Sequence, residues 1–297
     1  MSYPIFLKHA LKHMLGLAAA ATAPITRRTK RPFACILVYH RVADLESVDA
    51  RVDAWNVRPA RFEKQIAGLA KFAEFTSLSE LPRRLSAPPG AKPLVCLTFD
   101  DGFAHFRSSV LPVLRRYDVP SSLFVVTSCV GSDEPYPFDR WGKKNRSTVA
   151  PMTWRPVGWK DLEACADNGL VTIGSHSHRH LNASECDSKQ LTEEAGASRA
   201  ILLRKLGDGH ARFYAYPYGS TRLNQVGAAY AKIVKDAGYT LGLTTDLGLA
   251  DVHSDPFLLP RIEAHAFDSP SILRAKVLGS IQPYRFSDRF RSADRGA

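Results

Sequence analysis

Strand-like and helix-like segments alternate along most of this chain, and this alternation constrains its fold more than any other feature. Seven short apolar segments, rich in β-branched residues, have the character of strands: Cys35–Tyr39, Leu94–Phe99, Leu123–Thr127, Leu170–Gly174, Phe213–Tyr216, Thr240–Thr244 and Phe257–Ile262. Six segments have helical periodicity: Pro59–Phe72, His105–Tyr117, Trp159–Asn168, Ser188–Leu206, Asn224–Ala237 and Ser269–Leu278. Such alternation predicts parallel βαβ units in an α/β fold, as a closed barrel or as an open doubly wound sheet. Both arrangements gather functional side chains at the carboxyl ends of the strands.

The formal net charge of the 297-residue chain is +11, and it is concentrated at the two ends. Residues 1–43 contain seven Lys or Arg and no acidic residue, and residues 271–297 contain six Lys or Arg and two Asp. Because a nucleic-acid enzyme would carry its basic charge around the active site, we expect no nucleic-acid partner. The basic ends favour contact with an anionic membrane surface, although solvated tails would have the same composition.

The N-terminal residues predict a short basic amphipathic helix. Leu7, Leu11 and Met14 share one helical face, with Lys8 and Lys12 beside it, so the helix could lie in a membrane interface. A signal peptide is the alternative, because a stretch of apolar and small residues follows. The basic cluster that comes next favours the cytoplasmic side. We therefore expect a cytoplasmic protein or one held at the inner face of the membrane, with export as the alternative.

The five cysteines indicate buried, reduced thiols rather than a disulfide framework. Cys35 and Cys96 lie inside strand-like segments, and Cys129 follows another. No CxxC pair is present, which argues against a thiolate zinc site.

Two adjacent carboxylates, Asp100 and Asp101, end the second strand-like segment in the sequence TFDDG. Neighbouring like charges repel each other, so stability alone gives no reason for the pair. Both can reach one cavity where the chain turns at Gly102. The structural alternative is that Asp101 caps the helix that begins near His105.

Three histidines follow the fourth strand-like segment, in the sequence HSHRH. His176 and His180 have a spacing that lets two imidazoles bind one metal ion, whereas His178 is expected to be an exposed polar residue. One aspartate completes a set of two histidines and a carboxylate, which is typical of a catalytic metal site with open positions. The other aspartate would serve as the base toward water, and the metal charge would make the adjacent carboxylates tolerable.

The fifth strand-like segment ends in a Tyr-Pro-Tyr-Gly turn at the same end of the predicted sheet. Such a turn can direct a backbone N–H into the site, as in an oxyanion hole for acyl chemistry. An ordinary turn with an aromatic wall would have the same sequence.

The order of TFDDG, HSxxH and FxYPYG resembles that of the polysaccharide deacetylases, the NodB-homology family or carbohydrate esterase family 4. The segments ILVYHRV (Ile36–Val42) and LLPRIEA (Leu258–Ala264) resemble flanking features of one bacterial branch. The resemblance implies a single distorted (β/α) barrel with about seven parallel strands. It also implies metal-dependent removal of an acyl group from an N-acylated carbohydrate.

The predicted organisation has three parts: a basic amphipathic segment at residues 1–32, a catalytic domain at residues 33–280 and a basic tail at residues 281–297.

By position, the resemblance implies that Asp100 is the catalytic base and that Asp101, His176 and His180 bind the metal. Ser177 fills the Ser/Thr position between the two histidines. Zinc is the expected metal, and Co²⁺ or Fe²⁺ would also suit this ligand set.

The third motif supplies the substrate-binding residues that the resemblance implies. The backbone N–H of Tyr218 would contact the oxyanion, and Tyr216 and Pro217 would shape the wall of the substrate site.

The chain departs from the commoner family pattern at two positions. Ala215 stands where many members carry an arginine that pairs with the catalytic aspartate, and Arg261 is the candidate replacement. The family's late histidine, which serves as the general acid, has no obvious counterpart. His40 and His265 are the candidates, and His40 is favoured for a site role because it ends the first strand.

The predicted activity is removal of an N-acetyl group from an amino sugar of a polysaccharide, an oligosaccharide or a glycan precursor. One alternative is a deacylase or deformylase of a lipid-linked sugar at the membrane. The other alternative is a non-catalytic carbohydrate-binding protein on the same fold. It stays open because Ala215 replaces the family's arginine and because the family's late histidine has no obvious counterpart.

Overall fold

The structure is a computed structural model that describes residues 32–45, 55–167 and 169–280. The predicted N-terminal helix and the basic tail at residues 281–297 lie outside the described residues. Within them, the strands are β1 (Phe33–Tyr39), β2 (Arg41–Val42), β3 (Asn56–Val57), β4 (Glu74–Phe75), β5 (Leu94–Phe99), β6 (Ser121–Val125), β7 (Val171–Ser175), β8 (Phe213–Ala215), β9 (Leu241–Leu247), β10 (Ala250–Asp251) and β11 (Leu259–Glu263).

The helices of the same residues are α1 (Pro59–Ala70), α2 (Leu81–Ser86), α3 (Leu111–Tyr117), α4 (Arg140–Asn145), α5 (Trp159–Ala166), α6 (Ser188–Leu206), α7 (Ala228–Asp236) and α8 (Pro270–Val277). Several begin at residues that suit a helix start. Pro59 opens α1, and Asp187 and Gln190 form a reciprocal capping box at the start of α6.

Seven parallel strands close into a barrel in the order β1, β5, β6, β7, β8, β9, β11 and back to β1. The barrel closes because β1 pairs with β5 from Ala34 to Tyr39 on one side and with β11 at Leu37 and Val38 on the other. The short strands β4 and β10 extend the sheet beyond this ring. The closed barrel is therefore confirmed, and the open doubly wound sheet is excluded.

Alternate side chains of the barrel strands enter two different parts of the core. Ile36, Cys96 and Phe124 belong to a buried cluster inside the barrel. Their neighbours Leu37 and Val95 belong to a larger cluster between the barrel and the helices. Because both faces of the strands are buried, their sequences are almost continuously apolar, as is usual for parallel sheets.

Several predicted segments differ in detail from the structure, and the helix expected from Asn224 begins only at Ala228. The helix expected from His105 starts as a π-helical turn at Phe106–Val110 and becomes α-helical only at Leu111. The segment Gly131–Arg155 is predicted to be one long loop because its sequence lacks clear periodicity, but it contains α4 and a short 3-10 turn. Six-residue helices such as α4 are too short to show a clear hydrophobic period.

All five cysteines are free thiols, as the sequence predicts, and Cys35, Cys96 and Cys165 are buried. No helix among the described residues combines the length and apolar character needed to cross a membrane.

Candidate active site

Most of the polar residues singled out in the sequence follow the carboxyl ends of barrel strands, and so lie at one end of the barrel. Asp100 and Asp101 follow β5, and His176 follows β7. His40 follows β1, and Arg261 lies within β11. Barrel closure therefore brings together residues that are far apart in the sequence.

Asp101, His176 and His180 form a compact cluster of potential metal ligands, with one ligand atom from each lying within 4.8 Å of the others. The Oδ1 atom of Asp101 lies 3.6 Å from Nε2 of His176 and 3.8 Å from Nε2 of His180. The Nδ1–H group of His176 donates to the carbonyl of Ala215 at 2.8 Å. This bond leaves the Nε2 lone pair of His176 free to face Asp101.

The protonation preferences of these groups fit a divalent cation. Burial lowers the pKa of His176, and burial followed by the charge of His176 lowers that of His180. Both imidazoles are therefore neutral at pH 7, as metal ligands must be. Burial and then the nearby Asp100 raise the pKa of Asp101 to about 8. A bound cation would offset this repulsion, and the two nitrogens and one carboxylate suit Zn²⁺.

The two histidines approach each other in a tight turn. Ser177 and His180 both have left-handed backbone conformations, with φ of +64° and +62°. The Ser177 hydroxyl accepts the N–H of His180 at 2.9 Å. The buried Glu194 carboxylate on α6 accepts the N–H groups of His178 and Arg179 at 3.1 and 2.7 Å. These bonds compensate for a backbone path that is unfavourable for residues other than glycine.

Asp100 is held by Arg261 through two parallel hydrogen bonds of 2.8 Å. The third donor of the guanidinium, Nε, bonds to the Thr244 carbonyl at 2.8 Å, and Arg261 is almost completely buried. Burial alone would raise the pKa of Asp100. The charge and the hydrogen bonds of Arg261 more than offset this, so the pKa of Asp100 lies below the ordinary value. Asp100 is thus an ionised proton acceptor, 4.0 Å from Nε2 of His176.

The two candidate acids have different surroundings. His40 is half-buried beside the Trp55 ring, at a centroid distance of 4.8 Å, and burial lowers its pKa to about 4. His265 is engaged through both ring nitrogens, with Glu263 at 3.0 Å from Nε2 and Lys276 at 3.3 Å from Nδ1.

The third motif is divided between the site and the core. The Tyr218 ring lies 5.1 Å from the His180 ring, and its backbone is left-handed with φ of +60°. Tyr216, in contrast, is fully buried, and its hydroxyl donates to the Phe257 carbonyl at 3.0 Å. Pro217 is also buried. The expected substrate contact of the Tyr216 side chain is therefore not available in this structure, and its ring packs against Tyr214 instead.

Sequence reasoning missed several residues around the candidate metal ligands: two of them contact these ligands directly, and two bond to other residues nearby. Tyr136, Phe138 and Asp139 come from the segment expected to be a loop, and Glu194 comes from the middle of a helix. The concentration of aromatic and acidic residues in PYPFD is the one sequence signal for the first three. Nothing in the sequence of α6 indicates the role of Glu194.

Comparison with known proteins identifies the family and the fold. The family model described as polysaccharide deacetylase matches residues 87–242. The poly-beta-1,6-N-acetyl-D-glucosamine N-deacetylase of Staphylococcus aureus is 23% identical over a 260-residue alignment that covers 81% of each chain. The protein of that name from Staphylococcus epidermidis is 26% identical over 246 residues, 77% of this chain and 78% of the relative.

A solved structure shares the fold. Streptococcus pyogenes deacetylase PplD, solved in complex with acetate, superposes with a TM-score of 0.67 and 23% identity, over 83% of this chain and 99% of that one. The barrel, the order of the motifs and the family match together lead to one conclusion. The chain belongs to the polysaccharide deacetylase family.

Proposed function

We propose that the chain is a metal-dependent hydrolase that removes N-acetyl groups from the amino sugars of a glycan, with an N-acetylglucosamine polymer as the substrate class. The main support for this proposal is one observation. Asp100, which is bound by Arg261, lies next to the cluster of Asp101, His176 and His180. The names of the staphylococcal relatives support the choice of polymer.

Asp101, His176 and His180 are the proposed metal ligands, and Zn²⁺ is the proposed ion. When bound, such a cation supplies Lewis acidity to the acyl group and to the attacking water. The neutral imidazoles and the hydrogen bond from His176 to Ala215 support this assignment. Because Arg261 pairs with Asp100, the arginine that many family members carry at the position of Ala215 is not needed for that contact.

Asp100 is the proposed base that takes a proton from the attacking water. Arg261 keeps this carboxylate ionised and fixes the direction of its oxygens. A general base in this position typically accelerates a reaction by about 10²–10⁴-fold.

The remaining proposed roles concern the oxyanion and the leaving amine. Tyr218 lies beside His180, which supports an oxyanion contact by its backbone N–H. His40 is the proposed contact of the leaving amine. Its pKa is lowered to about 4, so its ring is neutral at pH 7, and the amine would take its proton from Asp100, which has accepted one from the attacking water. The engagement of both ring nitrogens of His265 by Glu263 and Lys276 supports His40 over His265.

The test is release of acetate and formate from β-1,6-linked N-acetylglucosamine oligomers, chitin oligomers and lipid-linked N-acylated sugars. The protein is stripped of metal and then reloaded with zinc, with Asp100→Asn as the matched control. We expect zinc-dependent acetate release from the β-1,6-linked oligomers, lost in the variant. Formate release from a lipid-linked sugar would support the deformylase alternative. Binding of glycans without any release would support a carbohydrate-binding protein.

We also propose that the basic residues outside the described part of the chain bring the protein to the inner face of a membrane. The support is the charge of residues 1–31, which contain six Lys or Arg and no acidic residue. The full chain is expected to sediment with anionic vesicles at low salt and to be released at high salt. Equal sedimentation with neutral vesicles would contradict this proposal.

A further inference from the structure

The segment Tyr136–Asp139 lies in the long connection between β6 and α5 and reaches back to the proposed metal ligands. Its first contact is at Asp101. The buried Tyr136 hydroxyl lies 2.6 Å from the Asp101 carbonyl oxygen and 2.8 Å from that of Gly102, and it donates its proton to this pair. Asp101 has a φ of +70°, which is unfavourable for an aspartate, so the turn needs an external partner to hold it.

The second contact is at His180. The Phe138 ring stacks on the His180 imidazole with a centroid distance of 3.8 Å and an interplanar angle of 21°. His176 is oriented by a hydrogen bond from Nδ1, but the buried Nδ1 of His180 has no hydrogen-bond partner within the described part of the chain. Ring contacts with Phe138 and Tyr218 therefore take over the orienting role for His180.

The segment is itself fixed at its far end. Asp139 accepts a hydrogen bond of 2.6 Å from Arg41 and one of 2.9 Å from the Gly142 N–H. The Arg41 guanidinium also lies over the Phe103 ring, at 4.2 Å from its centroid, and donates to a backbone carbonyl of the same connection. Because these contacts hold the segment in place, they also restrict the positions of Tyr136 and Phe138.

We propose that Tyr136 and Phe138 are positioning residues of the metal centre. Tyr136 fixes the backbone of one ligand, and Phe138 fixes the imidazole plane of another. Outer contacts of this kind commonly change metal affinity by about 10–100-fold. The inference rests on the proposed function, because it assumes that Asp101 and His180 bind a metal.

The test measures zinc dissociation constants of the full chain by competition with a chromogenic chelator, together with the visible absorption spectrum of the Co²⁺ form. The variants are Tyr136→Phe, which removes only the hydroxyl, and Phe138→Leu, which removes the ring. Each is expected to weaken zinc binding about 10-fold or more and to alter the Co²⁺ spectrum. Phe138→Tyr keeps the ring and is expected to restore wild-type affinity.

Tyr230→Phe is the matched control, since it also removes a buried tyrosine hydroxyl, one that is paired with Tyr214 at 2.7 Å. It is expected to lower the melting temperature while leaving the zinc affinity and the Co²⁺ spectrum unchanged. If Tyr136→Phe and Phe138→Leu bind zinc within 2-fold of wild type, the inference about positioning is wrong, but the proposed function is not affected. Failure of the wild-type protein to bind zinc at all would overturn the proposed function with it.

Discussion

Asp100 and Asp101 are neighbours in the chain, yet they have opposite electrostatic surroundings. Asp100 faces Arg261, whereas Asp101 faces the two neutral imidazoles of His176 and His180. The left-handed backbone at Asp101 directs the two carboxylates to these different partners. The pair thus places an ionised carboxylate and a potential metal ligand on adjacent residues.

Replacement of Asp100 by asparagine tests this division of roles. Asp100→Asn keeps the shape of the side chain but removes its ability to accept a proton. Turnover is expected to fall by about 10²–10⁴-fold, with zinc stoichiometry unchanged, as measured by acetate release and metal analysis of the same sample. Loss of zinc from the variant would show that the two aspartate roles are reversed.

Arg261→Met tests the energetic role of the buried pair. It leaves Asp100 buried without a counter-charge, so the free energy of unfolding is expected to fall by about 3–5 kcal/mol in urea titrations at pH 7. Because the pKa of Asp100 lies below its ordinary value, the stabilisation is complete above about pH 4 and is lost as the pH falls further. The difference between the two proteins should therefore be smaller at pH 3, and an equal difference would argue against a charge effect.

At the scale of elements, those with a local hydrophobic pattern could be predicted from the sequence, whereas those that depend on contacts between distant residues could not. The seven barrel strands and the six longer helical segments could be predicted because each has its own hydrophobic pattern. The segment around α4 could not, because it depends on Arg41, which lies 98 residues away from Asp139. Arg261 was proposed as the partner of Asp100 only from its resemblance to a family feature, since 161 residues separate the two.

The Arg41–Asp139 pair fastens the long connection to β2, and both side chains are more than nine-tenths buried. Arg41→Met keeps apolar contact with the neighbouring rings but leaves Asp139 without its counter-charge. We expect a loss of about 3 kcal/mol or more in the free energy of unfolding. Arg83→Met is the control, because its ion pair with Glu80 is exposed and should change stability by less than about 0.5 kcal/mol. Equal effects in the two variants would contradict a structural role for the buried pair.

At the scale of the whole molecule, barrel closure creates the candidate site. Five different strands contribute residues to one end of the barrel, and β1 closes the ring between β5 and β11. The motifs could therefore be identified from the sequence, whereas their distances could not. The aromatic core position of Tyr216 was also not predictable, because it depends on packing against Tyr214 and Tyr230.

Metal binding is expected to stabilise the whole barrel, because its ligands come from two separate connections. At a free zinc concentration 100 times the dissociation constant, the free energy of unfolding should rise by about 2.7 kcal/mol. His176→Ala should remove this increase, as urea titrations with and without zinc would show. An increase that persists in the variant would indicate zinc binding elsewhere.

The most direct measurement is a zinc titration of the metal-free protein, followed by acetate release from β-1,6-linked N-acetylglucosamine oligomers. Activity is expected to be absent at the start, to rise in proportion to added zinc and to reach a plateau at one ion per chain. The same titration of His176→Ala should remain flat. Full acetate release by the metal-free protein, or a plateau without any release after one ion has bound, would contradict the assignment of Asp101, His176 and His180 as a catalytic metal centre.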